Sequence, residues 1–354
     1  MTRVLVVGAG LLGTSIGLGL KAKGHTVQLT DKSYSAAALA ADYGAGEVLS
    51  SDFSPEVIFI CVPPEETAQS VIDFLEKFPE ATVSDVASVK ASIEKAVATR
   101  VNSARFIPGH PMAGRERGGA IAGRSDLFVA RPWILCPVEE NEAGRVAAVE
   151  SLIAELGASV VKMSASDHDR AVALVSHVPQ AVSSLLAARL AEAEAEDIAL
   201  AGAGLRDTTR IAASSPELWL QIYAANSLEV NQELKAFRAD LDRLIVALDA
   251  IGQPGSLAAV NQILDAGNRG VAKIPGKHGS KAQQYQRIVV MIDDRPGELG
   301  RLFNEVGALG VNIEELQLEH SPSAQIGLVE LFVLPKFAEP LVAGLQNRGW
   351  RIAG

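Results

Sequence analysis

Hydrophobic positions along the chain follow three different rhythms in succession. Up to about residue 165, short continuous apolar runs at 3–7, 26–30, 57–62, 82–87, 105–107, 133–136 and 159–162 alternate with segments of helical period. Continuous apolar runs are expected of parallel strands covered on both faces. Their alternation with helices predicts an α/β Rossmann-type domain over 1–165. From 166 to 266 the period is helical throughout. Ala, Leu and Val recur at helical spacing in 168–195, and a stripe runs through Leu228, Leu234, Phe237, Leu241, Leu244 and Leu248. This predicts an all-α domain whose apolar surface forms a subunit interface, hence a homodimer. Residues 267–284 carry Gly and basic residues without an apolar period, and read as a linker or loop. From 285 to 354 the order is strand (287–292), amphipathic helix, strands (311–318 and 327–333), short helix (337–347) and a last edge at 350–352. That order is βαββαβ, a ferredoxin-like unit.

Composition adds exclusions. Of the 354 residues 48% are hydrophobic and 21% charged, the balance of a folded globular chain. The net charge of −10, without a basic tract, argues against nucleic acid, whose phosphates need clustered Lys and Arg. Cys61 and Cys136 sit apart in apolar runs, with no metal-ligand spacing, so they read as buried thiols and no metal is expected. Two unpaired thiols fit a reducing, cytoplasmic setting. The apolar stretch behind Arg3 is interrupted by Gly8, Gly10, Gly13, Gly17 and Gly19, and reads as structure, not as a secretory leader. No other stretch looks long and apolar enough to span a bilayer, and no membrane partner is expected.

Chemistry concentrates at the ends of the predicted strands. Strand 3–7 runs into Gly8, Gly10, Leu11, Leu12 and Gly13, a helix follows, and the next strand ends at Asp31. This is the dinucleotide fingerprint. Gly8 would make the tight turn, Gly10 would let the backbone approach a pyrophosphate, and Gly13 would let helix and strand pack closely. Asp31 would accept the ribose hydroxyls and repel a 2′-phosphate, favouring NAD, with Lys32 beside it weakening that preference. Val62 and Pro63, Ser88 and His110 also lie just past strand ends, where ligands bind in open parallel sheets. His110 belongs to GHPMAGRERGG (109–119). The flanking Pro108 and Pro111 predict a loop leaving a strand, and imidazole exchanges protons near neutral pH. In the helical region polar groups break the pattern: His177 and Gln180, which share a face if the helix passes Pro179, and Arg206-Asp207-Thr-Thr-Arg210.

Taken in order and spacing, the fingerprint, DVASVK (85–90), GHPMAG (109–114), SHVP (176–179) and RDTTRI (206–211) resemble the prephenate dehydrogenase family of tyrosine biosynthesis over about 1–265. DRPGELG (294–300) and GVNI (310–313) resemble an ACT domain, a module that commonly binds an amino acid at a dimer interface. The resemblance implies NAD-dependent oxidative decarboxylation of prephenate, with His110 accepting the hydroxyl proton and Ser88 orienting His110 or the substrate hydroxyl. It further implies that Arg210 binds a substrate carboxylate, Asp207 positions nearby basic groups, and His177 shapes the pocket. Tyrosine would act at the tail, through Gly297, Glu298, Leu299, Asn312 and Ile313. Two positions depart from some relatives: Gln180 stands where they have a second histidine, and Arg115, before Glu116, stands where they have Thr. Both fall where prephenate and arogenate differ, so arogenate is the alternative substrate. A nicotinamide sensor without chemistry is the rival of a different class, disfavoured by the set His110, Ser88 and Arg210.

Overall fold

The computed structural model describes all residues except 101, 115–117, 275–284, 321–325 and 354. By packing the chain divides into Met1–Arg238 and Ala239–Gly354.

The first unit opens with β1 (Arg3–Val7), α1 (Leu11–Ala22), β2 (Thr26–Thr30), α2 (Tyr34–Asp42), β3 (Glu47–Val48), β4 (Val57–Ile60), α3 (Pro64–Lys77), β5 (Thr82–Asp85), α4 (Ala91–Ala98) and β6 (Phe106–Ile107). The six strands form one parallel sheet in the order β3-β2-β1-β4-β5-β6. Alternate side chains on β1 serve the two faces. Val4 and Val6 join a core with Ile16, Leu29 and Phe59, whereas Leu5 and Val7 join another with Ile58, Ile60 and Val71. Both faces are therefore covered, which is why these strands read as unbroken apolar runs. The order reverses beside β1, and the crevice at such a switch point is where a dinucleotide is held.

Next come β7 (Gly109–Pro111), β8 (Pro132–Leu135), α5 (Ala143–Glu155) and β9 (Ser159–Lys162). β7 pairs antiparallel with β8, which pairs parallel with β9. His110 is therefore in a short strand, opposite Ile134, and not on the loop expected from its prolines. Pro111 is tolerated because β7 is the edge of its sheet, where an absent amide hydrogen costs no ladder bond.

The helical part contains α6 (Ala165–Val172), a π-helical turn (Ala173–His177), α7 (Val178–Arg189), α8 (Ala195–Ile198), α9 (Ala203–Thr209), a 3₁₀ turn (Arg210–Ala213), α10 (Pro216–Ala225) and α11 (Ser227–Asp249). Helix passes through Pro179 because that residue sits in the first turn of α7. The result is one helical run of 28 residues, Ala165–Glu192, long and apolar enough by length and composition to cross a membrane. That corrects the expectation that only the first apolar stretch could raise the question. Within this run His168, Asp169, His177 and Gln180 are buried polar residues, and each has a hydrogen-bond partner inside the protein. Such pairing suits a helix with one face packed on protein, while Leu174, Val175, Leu185 and Leu186 of the same run stay exposed. The division between units falls within α11.

The second unit holds the end of α11 and α12 (Ser256–Val271), then β10 (Gln286–Asp293), α13 (Glu298–Ala308), β11 (Glu315–His320), β12 (Ile326–Val333), α14 (Pro335–Asn347) and β13 (Arg351–Ala353). The four strands form an antiparallel sheet in the order β11-β12-β10-β13. Its core gathers Ile288, Val290 and Ile292 with Leu302, Val306, Leu341 and Leu345 from the two helices. Residues 267–271, expected in a linker, are the end of α12. Arg269 reaches back one turn to Asp265, and the exposed glycines cost too little to stop a helix already begun. Residues 272–274 are turn and bend, and the rest of that linker, 275–284, lies outside the described residues, as do Arg115 and Glu116.

Candidate active site

Gly8 holds φ at +100°, and a Cβ there would lie 2.4 Å from the Cys61 carbonyl oxygen. A Cβ on Gly13 would lie 1.9 Å from the Gly8 carbonyl oxygen. Only glycine allows the turn at one position and the close helix–strand approach at the other. A Cβ on Gly10 would meet nothing within 4 Å, so the space before the first turn of α1 is open. That first turn offers unpaired backbone amides to an anion. Asp31 accepts the Ala9 N–H at 2.7 Å and the Ser33 N–H at 2.8 Å, which fixes the carboxylate at the rim of the turn. Lys32 is drawn away by Glu66 at 2.6 Å. A cleft of about 890 Å³ is lined by Gly8, Gly10, Leu11, Leu12, Asp31, Val62, Pro63, Ser88 and His110, and by Leu218 and Ile222 of α10. The residues expected to hold a dinucleotide and the candidate base thus share one cleft. An open glycine turn, helix amides and an acidic rim fit NAD.

His110 is held from behind. The Asp85 carboxylate accepts the Gly109 N–H at 3.1 Å, and the Lys90 ammonium donates to the Gly109 carbonyl at 2.7 Å and to Asp85. Asp85 and Lys90 are both fully buried. His110 Nδ1 lies 2.8 Å from His168 Nε2, and His168 Nδ1 lies 2.8 Å from Asp169 Oδ1. Asp169 also accepts the backbone amides of Lys90 (2.8 Å) and Ala91 (2.9 Å). With both rings neutral the protons are assigned by elimination. Asp169 takes the Nδ1–H of His168, whose Nε2 then accepts the Nδ1–H of His110. His110 keeps its lone pair on Nε2. Removal from water holds the His110 pKa well below the ordinary histidine value, helped by His168, Lys90 and His177.

Ser88, expected to orient His110 or the substrate hydroxyl, is half-buried and lines the same cleft, but the ring's Nδ1 hydrogen bond is made to His168. His168 and Asp169 were missed from sequence. Their one visible signal is an adjacent His–Asp pair where the helical region begins. His177 is buried at the end of the π-helical turn, and burial pushes its pKa down to about 4. Its ring meets Trp219 edge-on, with centroids 5.9 Å apart. Gln180 is buried, its amide 3.3 Å from Ser184 Oγ. Asp207 and Arg210 are exposed, on α9 and the turn after it, in a region that packs against α7. None of His177, Gln180, Asp207 and Arg210 lines the cleft that contains His110. Both cysteines are free. Burial raises the Cys61 thiol pKa steeply and pushes that of Cys136 up to about 12, so neither is a nucleophile near neutral pH. Among the described residues no three His, Cys, Asp or Glu side chains gather as for a metal ion.

Residues 16–162 match the family described as "Prephenate dehydrogenase, nucleotide-binding domain", and residues 164–259 match "Prephenate dehydrogenase, dimerization domain". A probable prephenate dehydrogenase, NovF, of Streptomyces niveus is 33% identical over 99% of both chains. The chain belongs to the prephenate dehydrogenase family. It is an NAD-dependent oxidoreductase that decarboxylates prephenate oxidatively. Two solved structures are also similar. Prephenate dehydrogenase from A. aeolicus, in complex with hydroxyphenyl propionate and NAD+, is 26% identical with a TM-score of 0.68, covering 77% of this chain and 98% of that one. Synechocystis arogenate dehydrogenase is 29% identical with a TM-score of 0.64, covering 77% and 99%.

Proposed function

We propose that this protein converts prephenate to 4-hydroxyphenylpyruvate with His110 as the general base, relayed through His168 to Asp169. The observation that carries the reading is the array His110–His168–Asp169, with His110 lining the cleft that also contains the glycine turn and Asp31. Gly8, Gly10, Leu11, Leu12, Asp31, Val62 and Pro63 would hold NAD, with Gly13 supporting the turn. Bound NAD supplies the acceptor for the hydride that leaves C4 of the substrate. His110 Nε2 takes the proton of the C4 hydroxyl as that hydride departs. Its positive charge is then shared through Nδ1–H with His168 and answered by Asp169. Loss of CO2 makes the ring aromatic, and His110 can return its proton to the phenolate oxygen, so no net proton is consumed. Ser88, which lines the same cleft, would bond the substrate hydroxyl.

Arg210 offers a planar fork to a substrate carboxylate, and Asp207, one turn before it, would steady the local charge. His177 and Gln180 would face the substrate side chain, joined by Arg115 and Glu116 of the segment after β7. Gln180 brings no positive charge, which also suits the amino-acid side chain of arogenate. Arogenate is therefore the second substrate to test.

The tail works, in this reading, as an ACT domain that binds tyrosine near Gly297, Glu298, Leu299, Asn312 and Ile313. Its strand order is that of a ferredoxin-like unit, Gly297 adopts φ +94° at the start of α13, and Leu299 and Ile313 pack on its core. A homodimer through the helical region is favoured by the apolar side chains left exposed there, among them Leu174, Val175, Leu185 and Leu186. A cytoplasmic location accords with the free thiols. The direct experiment is a matrix of two substrates and two cofactors, read by NADH or NADPH absorbance. Turnover of prephenate with NAD is expected, and absence of turnover with both substrates would remove the enzyme reading.

A further inference from the structure

Asn226, between α10 and α11, is buried and has no role in the scheme above. Its Nδ2 lies 2.8 Å from the Asp169 backbone carbonyl and 3.2 Å from His177 Nδ1. A backbone carbonyl can only accept, so the atom facing it must be the amide nitrogen. The alternative amide orientation would set oxygen against oxygen. Both amide hydrogens are then committed as donors, one to Asp169 and one to His177. His177 Nδ1 must therefore be the bare, accepting nitrogen, and the proton of the neutral ring must sit on Nε2. A protonated imidazole would turn a second N–H toward the amide and break this bond.

We infer that Asn226 is a positioning residue that fixes His177 as the neutral Nε2–H tautomer, an uncharged hydrogen-bond donor for an oxygen of the substrate. This rests on the reading of His177 as a pocket residue given under the proposed function. Several features hold the ring in place. The Tyr223 hydroxyl donates to the His177 carbonyl at 3.2 Å, Trp219 meets the ring edge-on, and the π-helical turn ends at His177. The titratable groups facing it are Asp169, which favours its protonation, and His168, which opposes it. Burial, the largest influence, also opposes protonation. His110 is near enough to feel its charge. The same amide reaches the backbone of the residue that ends the His110 relay. One asparagine thus ties the residue that ends the base array to His177, and a charge on His177 would depress the basicity of His110.

The test begins with the unaltered protein. The chain has six histidines, and difference spectra against His177→Gln assign the His177 ring. Nitrogen-15 NMR should show His177 with a bare Nδ1 and a protonated Nε2 throughout the neutral range. A protonated Nδ1 there would overturn the inference without any Asn226 variant having to fold. Asn226→Asp keeps the shape, but its carboxylate accepts where the amide donated. The His177 midpoint should rise from about 4 toward or beyond the ordinary value of about 6.5. Asn226→Ala should leave the tautomers mixed and raise the substrate KM about tenfold with that for NAD unchanged, the scale of one lost hydrogen bond. An unmoved midpoint in Asn226→Asp, or equal loss toward substrate and NAD in Asn226→Ala, would overturn it. The NMR readout needs no turnover, so failure of the enzyme reading would show separately, as an inactive wild-type protein.

Discussion

In the proposed scheme His110 can act as a base only while its Nε2 is bare and its ring uncharged, and both conditions come from residues far off in sequence. Fifty-eight positions separate it from His168, and no spacing rule points from one to the other. The motif around His110 was legible because prolines, a strand end and the dinucleotide fingerprint coincide there. Its proton assignment was not, because it depends on how α6 packs against the segment after β5. The expected partner, Ser88, shares the cleft without taking the ring nitrogen. The low His110 pKa leads to a pH prediction. As pH falls, kcat/KM should decline through a midpoint below about 6.5, the ordinary histidine value. The physical cause is burial, reinforced by His168, Lys90 and His177. A midpoint at or above that value would mean that the ring is more exposed, or better matched by a carboxylate, than its surroundings indicate.

Among the elements, the parallel strands were the most legible, since burial on both faces leaves unbroken apolar runs. Short or locally coded pieces were less so. β3 has two residues, too few to show a period, and α2 is rich in alanine, which marks neither face. The end of α12 was misread because Gly267 and Gly270 look like breakers, yet exposed helix tolerates them. The π-helical turn, which ends at His177, has no sequence signature here. At this scale the role of the tail is testable. Removal of residues 285–354 should abolish tyrosine inhibition and leave turnover of prephenate within about twofold, if the unit folds and acts separately as modules do. Inhibition that survives the truncation would place tyrosine in competition at the cleft.

For the whole molecule, the same buried histidines couple stability to pH. His110 and His177 have folded-state pKa values below those of the unfolded chain. Their contribution is intact above about pH 6.5 and is lost as pH falls through the window down to about 4 for His177, because the unfolded state binds the protons first. Tm should therefore drop between neutral pH and pH 5, and His177→Gln should flatten that drop; an unchanged slope in the variant would assign the effect to other groups. In the proposed scheme activity rests on the same array. NADH formation from NAD and saturating prephenate, compared between the wild-type protein and His110→Ala with NAD affinity measured alongside, tests it most directly. The expected result is a loss in kcat of about 10²–10⁴-fold with NAD affinity nearly unchanged. A His110→Ala protein that turns over prephenate at the wild-type rate would contradict the assignment of His110 as the base.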